Sequence, residues 1–244
     1  MALKKDEWIK KVARPFWEKS TEEQDYQLFM RETPRAIVYD TNAFYSCADG
    51  IVVYNKIVKS AQEKVDLKGV PYSIDEIMGE DLIDGPCLIC GVFMTFADVH
   101  VNRVPYTSTI EYKRLDPIST MNMSMDAQEE KIFGTKIKHG KVVKGVKNQY
   151  LYNNARMLNT FYIPEIDYKY YIVQVADYDV NTILPFATKQ KDKMLQGDRF
   201  SFIRWGSQCD IILPLRKDLK IQPLIDADWH VEAGVDKIAS LSYN

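Results

Sequence analysis

After Arg35 the chain becomes a series of short runs rich in Val, Ile, Tyr and Phe, at 50–58, 87–96, 105–113, 156–163, 169–177, 199–205 and 208–214. Gly, Pro, Asn and Asp separate them. β-branched and aromatic side chains suit a pleated, half-buried surface, and the intervening residues are those that end strands, so each run predicts a strand. Sheet therefore dominates whatever this chain folds into. No fixed-period repeat, low-complexity tract or Pro/Gly/Ser linker divides the sequence, and 244 residues bound it to one large or two small domains.

The first residues have a different texture. Leu3, Trp8, Ile9, Val12, Phe16 and Trp17 alternate with Lys4, Lys5, Lys10, Lys11, Arg14 and Lys19, which is amphipathic helical spacing interrupted at Pro15. Such a stretch lies on a lipid interface or packs on its own domain, because amphipathicity does not distinguish protein from lipid. Ser20 with Glu23, and Ser73 with Glu76, have the capping-box spacing that satisfies free amides at a helix start.

Composition narrows the function classes. With 34 acidic against 32 basic side chains and a net charge of -2, the chain has no global attraction to nucleic acid. Its apolar runs are shorter than the eighteen or so residues that a spanning helix needs, and the N-terminus lacks the apolar core of a signal peptide. A cytoplasmic location is expected. Cys87-Leu88-Ile89-Cys90 has a metal or redox spacing, but it lies in an apolar strand-like run, where alternation sends residues three apart to opposite faces. Buried structural cysteines are expected there, and no metal.

Four blocks carry the chemistry. They are Ser46-Cys47-Ala48-Asp49-Gly50, Lys68-Gly69-Val70-Pro71-Tyr72-Ser73-Ile74-Asp75-Glu76, Phe96-Ala97-Asp98-Val99-His100-Val101-Asn102-Arg103-Val104-Pro105, and Trp205-Gly206-Ser207-Gln208. In order and spacing they resemble the S-P-A-D-G, K-G-x-x-Y-S, D-V-H-V-N-R-x-P and Gly-Ser elements of the phosphatidylserine decarboxylase family. The resemblance runs from about Phe29 to the end. It implies an α+β, mainly β fold: a mostly antiparallel β core with peripheral N-terminal helices, and a Gly197 turn similar to lipoyl-type hairpins. It divides the chain into an N-terminal helical segment, 1–35, and a catalytic domain, 36–244.

The resemblance also implies a zymogen that cuts itself between Gly206 and Ser207, giving a heavy chain 1–206 and a light chain 207–244. Ser207 would become a pyruvoyl cofactor, whose carbonyl forms a Schiff base with a substrate amine and draws electrons as carbon dioxide leaves. A serine hydroxyl needs a base to become nucleophilic. His100 is expected to take that role, with Asp49 orienting and charging it, as in hydrolytic triads. A glycine before the serine exposes the carbonyl under attack. Arg103 and Arg156 are expected to bind the substrate.

Each residue also has an ordinary reading. Asp49-Gly50 is a good turn dipeptide. His100 suits a core histidine, and Arg103 suits a pair with Asp98 or another acid. Lys136, Lys138, Lys141, Lys144 and Lys147 suit a solvated loop as well as anionic lipid. The chain departs from the family pattern at Cys47, at Asn153-Asn154-Ala155-Arg156, after Gln174-Val175-Ala176 and at Gln208. The first and third blocks of the machinery survive better than the substrate-side positions. Phosphatidylserine is the expected substrate, met by peripheral contact with a membrane surface, while a free aromatic amino acid and a non-catalytic relative are the alternatives. No nucleic-acid partner is expected, and a homodimer is left open.

Overall fold

Strands buried on both faces read as continuous apolar runs, whereas edge strands alternate. Both textures are present here and they order the sheet. The computed structural model describes residues 2–20, 22–24, 31–67, 69–118, 122–134, 150–177, 183–186, 189–204 and 207–243. Its strands are β1 (Leu3–Lys4), β2 (Ala43–Tyr45), β3 (Gly50–Val58), β4 (Val65–Leu67), β5 (Val70–Tyr72), β6 (Cys87–Met94), β7 (Val101–Arg103), β8 (Ser108–Leu115) and β9 (Arg156–Ile163). The later ones are β10 (Tyr168–Ala176), β11 (Ile183–Pro185), β12 (Asp192–Met194), β13 (Arg199–Ile203), β14 (Ser207–Pro214), β15 (Leu219–Pro223), β16 (Trp229–Val231) and β17 (Lys237–Tyr243).

Nine of them form one antiparallel sheet in the order β1-β16-β3-β6-β14-β10-β9-β8-β12. Every residue of β6 is buried, as are Ser207 to Leu213 of β14, while β8 nearer the edge alternates. One face carries Val92, Met94, Phe161, Ile172 and Cys209 against Phe44, Ile183, Phe200, Ile203 and Leu241 of two smaller sheets, β11-β13-β7 and β15-β17-β2. The other face carries Ile89, Phe93, Val173 and Ile212 under the helical segments, through Trp8, Phe16, Ile77, Ile132 and Leu151. The fold is mainly β with peripheral helices. The Gly197 turn, at φ +87°, passes the chain from β12 of the large sheet into β13 of a small one.

Cys87 lies in the core of the helix-covered face and Cys90 in that of the opposite face, as alternation requires. Burial raises both thiols, Cys87 to about 12, so these are structural thiols rather than reactive ones.

The N-terminal segment docks onto the domain. β1 pairs with β16, and Trp8, Ala13 and Phe16 are buried. Leu3, Ile9 and Trp17 pack partly against the same core, while Val12 stays exposed, so most of the apolar face of the segment is in contact with the domain. Pro15 does not interrupt the helix as the sequence suggests. The backbone widens into a π turn over Ile9–Ala13, with the Arg14 N–H donating to Ile9 O, and the proline ring then sits at the start of a fresh turn, Arg14–Trp17. Both capping boxes form: Ser73 with Glu76 opens Ile74–Met78, and Ser20 Oγ with Glu23 makes the reciprocal bonds. Lys136 to Lys147 lie outside the described residues. Among the described residues no helix is long and apolar enough to cross a membrane.

Candidate active site

Ser207 is the first residue of β14, fully buried, paired with Met94 of β6 on one side and Ala176 of β10 on the other. Its hydroxyl donates to the Met94 thioether at 3.1 Å, a weak acceptor, so among the described residues no strong hydrogen bond holds it against turning to a carbonyl. The predicted cleavage partner Gly206 and its neighbour Trp205 lie outside the described residues.

His100 is positioned by backbone pairing in the small sheet β11-β13-β7. β7 runs antiparallel to β13, with Val101 opposite Phe202, and the next rung is the Ile203 N–H donating to His100 O at 3.1 Å. The histidine is therefore held against Ile203, the last residue of β13, four positions before Ser207. Its ring is fully buried, and Nδ1 meets the carbonyl oxygen of Asp98 at 2.9 Å. A carbonyl only accepts, so Nδ1 carries the proton and the neutral ring has its lone pair on Nε2. Burial holds the imidazole below its ordinary pKa, against the opposing pull of Asp98 and Asp49, which favours the neutral ring with Nε2 unprotonated.

Asp49 ends the Ser46–Asp49 loop, just before β3. Its carboxylate accepts from Arg35 Nη1 at 2.6 Å, Arg35 Nη2 at 2.5 Å and the Ala233 N–H at 2.8 Å. Arg35 and Asp49 side chains are each 6% exposed, a buried bidentate pair. Asp49 acts on His100 through space rather than by the orienting hydrogen bond that a triad would place there; the orienting contact is the Asp98 carbonyl. Arg35, which the sequence blocks did not single out, is the partner that lets a carboxylate stay in this interior. Gly50 is required where it stands: φ is +153°, and a Cβ there would lie 2.2 Å from the Phe93 carbonyl oxygen.

Backbone and amide groups join the blocks. The Arg103 N–H donates to Cys47 O at 2.9 Å, and Asn102 Nδ2 reaches the same oxygen at 3.4 Å. Gln174 Nε2 donates to Asn102 Oδ1 at 2.7 Å, and Asn159 Nδ2 to Gln174 Oε1 at 3.0 Å. The Gln174 block thus keeps its glutamine for a structural reason.

The two arginines separate. Arg103 donates to Gly197 O at 2.8 Å and pairs with Glu32 at 3.3 Å, so Glu32 rather than Asp98 is its acid. Arg199 shares Glu32 at 2.5 Å. Arg156 lies opposite Val175, which lies opposite Gln208, on the face that the helices cover, whereas Ser207 and Cys209 alternate to the other face. Its Nη1 donates to Glu76 O and Ile77 O at 2.7 and 3.0 Å, and burial lowers its pKa to about 10. Arg156 thus clamps the last carbonyls of Ile74–Met78, a helix-end role, on the opposite face of the sheet from Ser207. Gln208 is explained likewise: on the same helix-covered face its Nε2 donates to Tyr54 Oη and Asp210 Oδ1 at 2.7 and 2.8 Å, and Tyr150 Oη donates to its Oε1 at 3.0 Å.

Comparison with known proteins agrees with the blocks. The profile of the family described as phosphatidylserine decarboxylase matches residues 26–239. The chain belongs to the phosphatidylserine decarboxylase family. Curated relatives carry the name phosphatidylserine decarboxylase proenzyme, which makes this a family of carboxy-lyases made as precursors. The protein from Geobacter metallireducens is 25% identical over 80% of this chain and 69% of its own length. That from Syntrophus aciditrophicus is 27% identical over 66% and 62%, and that from Ralstonia pickettii 27% over 85% and 77%. The chain spans about two thirds of the length of the relatives it matches first.

Proposed function

We propose that this chain is a self-cleaving, pyruvoyl-dependent decarboxylase that converts phosphatidylserine to phosphatidylethanolamine. The observation that carries the reading is the placement of His100. Its neutral ring, with the lone pair on Nε2, is held against Ile203, four residues before a buried serine whose hydroxyl, among the described residues, donates to a thioether.

In maturation, His100 Nε2 takes the Ser207 Oγ proton as that oxygen attacks the Gly206 carbonyl carbon. The C–N bond breaks, an ester forms, and the amine of residue 207 receives a proton. Loss of the Cα proton then expels the Gly206 carboxylate, leaving dehydroalanine at 207. Its imine form takes up water and releases ammonia, so a ketone caps the light chain. The strand position fits that group: residue 207 is fully enclosed, which keeps bulk water from a reactive carbonyl. When formed, the pyruvoyl group supplies the electron sink for carboxylate loss. The protein's own part is then to exclude water, to hold a proton on His100 for return to the substrate carbon, and to offer the Arg103 and Arg199 cations, which share the single Glu32 carboxylate, to an anionic substrate.

One observation favours a second reading, decarboxylation of a free amino acid. The aromatic face of the N-terminal helix is buried against the domain instead of facing lipid. Carbon dioxide release from phosphatidylserine vesicles, compared with soluble aromatic amino acids, separates the two. Ser207→Ala should leave one unbroken polypeptide without turnover, and His100→Ala should slow scission by about a hundredfold or more. Normal processing of His100→Ala would remove its role as base.

A further inference from the structure

Asp98 is two residues from the base, and its side chain is held from three directions. It is 2% exposed. Its Oδ2 accepts from the Thr95 N–H at 2.9 Å and from Thr95 Oγ1 at 2.7 Å, and its Oδ1 meets His230 Nε2 at 2.7 Å. Burial alone would push this carboxyl up, but the electrostatic pull of His230 and the hydrogen bonds from His230 and Thr95 outweigh it and hold it below the usual carboxylate range. The carbonyl of the same residue is the group that holds His100 Nδ1.

His230 is itself fixed from behind. It sits in β16, between β1 and β3, with Leu3 opposite it on one side and Ile51 on the other. Its ring lies flat on the Trp8 indole, centroids 4.5 Å apart and planes 10° apart. Trp8 is 2% exposed and also stacks on Phe133. The contacts form a line: N-terminal helix to Trp8, Trp8 to His230, His230 to the Asp98 carboxylate, and the Asp98 carbonyl to His100. Arg31 Nη2 closes the same loop by donating to Ala97 O at 2.9 Å.

We infer that His230 is a positioning residue for self-cleavage: by gripping the Asp98 carboxylate from under Trp8, it fixes the peptide whose carbonyl sets the orientation and tautomer of His100. This rests on the proposed function, since it assigns His230 to the same scission. It also gives the N-terminal segment a task. The docked helix completes the base, so residues 5–17 belong to the maturation machinery. A catalytic base displaced by a fraction of its bond length loses much of its effect, which is why a contact one residue removed from the ring matters.

The test dissects the two contacts of His230 in the full chain. Cell-free translation provides uncut precursor, and a denaturing gel follows the appearance of two fragments with time. His230→Phe keeps a ring on Trp8 but has no donor for Asp98, and should slow scission by about tenfold or more. His230→Gln keeps an amide donor near the position of Nε2 and loses the ring; it should restore scission to within about threefold of the original chain, whatever happens to its Tm. If His230→Phe does not fold, Thr95→Val, which removes a different donor from the same carboxylate, is read by the same tenfold threshold. Scission of folded His230→Phe, or of Thr95→Val where it is used, at the original rate overturns the inference. So does equal slowing by Phe and Gln, because a role in stability alone would move both. If the unaltered chain itself stays whole, it is the proposed function that fails.

Discussion

Removing Arg35 tests the electrostatics of the site most sharply. The Asp49 carboxylate is 6% exposed and accepts two hydrogen bonds from the Arg35 guanidinium and one from a backbone amide. Arg35 in turn donates to Ala233 O at 2.8 Å. Arg35→Ala leaves a buried carboxylate with one donor in place of three. Breaking a buried pair from one side costs about 3–5 kcal/mol, because the remaining charge is neither hydrated nor paired. For a chain of this size, each kcal/mol moves Tm by roughly 2–4 °C, so a fall of roughly 6–20 °C is expected. The measurement is calorimetric melting in a Ser207→Ala background, where every molecule is one uncut polypeptide. Arg35→Met combined with Asp49→Leu removes both charges and should recover most of the loss, since an apolar pair of similar volume has no desolvation cost. A fall in Tm below about 2 °C for Arg35→Ala would mean that the pair behaves like a surface ion pair, worth about 1 kcal/mol or less, and would refute the burial argument.

Other consequences can be measured in the same background. Burial, with repulsion from Asp177 and Asp126, raises the Glu129 carboxyl from 4.5 to about 8. Between those values the folded chain holds a proton that the unfolded chain has released, so stability should fall as pH rises, by up to about 1.4 kcal/mol per pH unit. Glu129→Gln should flatten that slope in urea melts from pH 5 to 8; an unchanged slope would assign it to other groups. Gly91→Ala would place a Cβ 2.5 Å from the Tyr54 ring and 2.7 Å from Asp210 Oδ1, and should cost about 2 kcal/mol or more, read as a lower urea midpoint at unchanged slope.

The centre of the fold was legible because both faces of its strands are buried. The runs at 50–58, 156–163 and 208–214 became β3, β9 and β14 with ends that agree to within a residue. The strands that went unnoticed, β1, β2, β4, β5, β7, β11, β12, β15, β16 and β17, lie toward the edge of the large sheet or in a small sheet, where a few residues such as Trp229–Val231 leave no period to read. Pro15 misled for a different reason: the missing N–H is absorbed by a local π turn that only backbone geometry reveals.

In the site, Ser207, His100 and Asp49 stood out because each lies inside a block of neighbours. The contacts that hold them did not. Arg35 is fourteen positions from Asp49 and His230 is 132 from Asp98, and only the fold brings them together. Arg156 lies in a block as well, but the block gives its neighbours in sequence and not the face on which alternation places it.

The central claim is a covalent one, that the bond before Ser207 breaks and leaves a ketone on the new end. Intact mass measured under denaturing conditions, on freshly purified chain, tests it directly. Two fragments divided after residue 206 are predicted, the smaller one blocked to Edman degradation and shifted by two mass units when borohydride reduces its terminal carbonyl. One species of full length that still releases carbon dioxide from substrate would contradict the account.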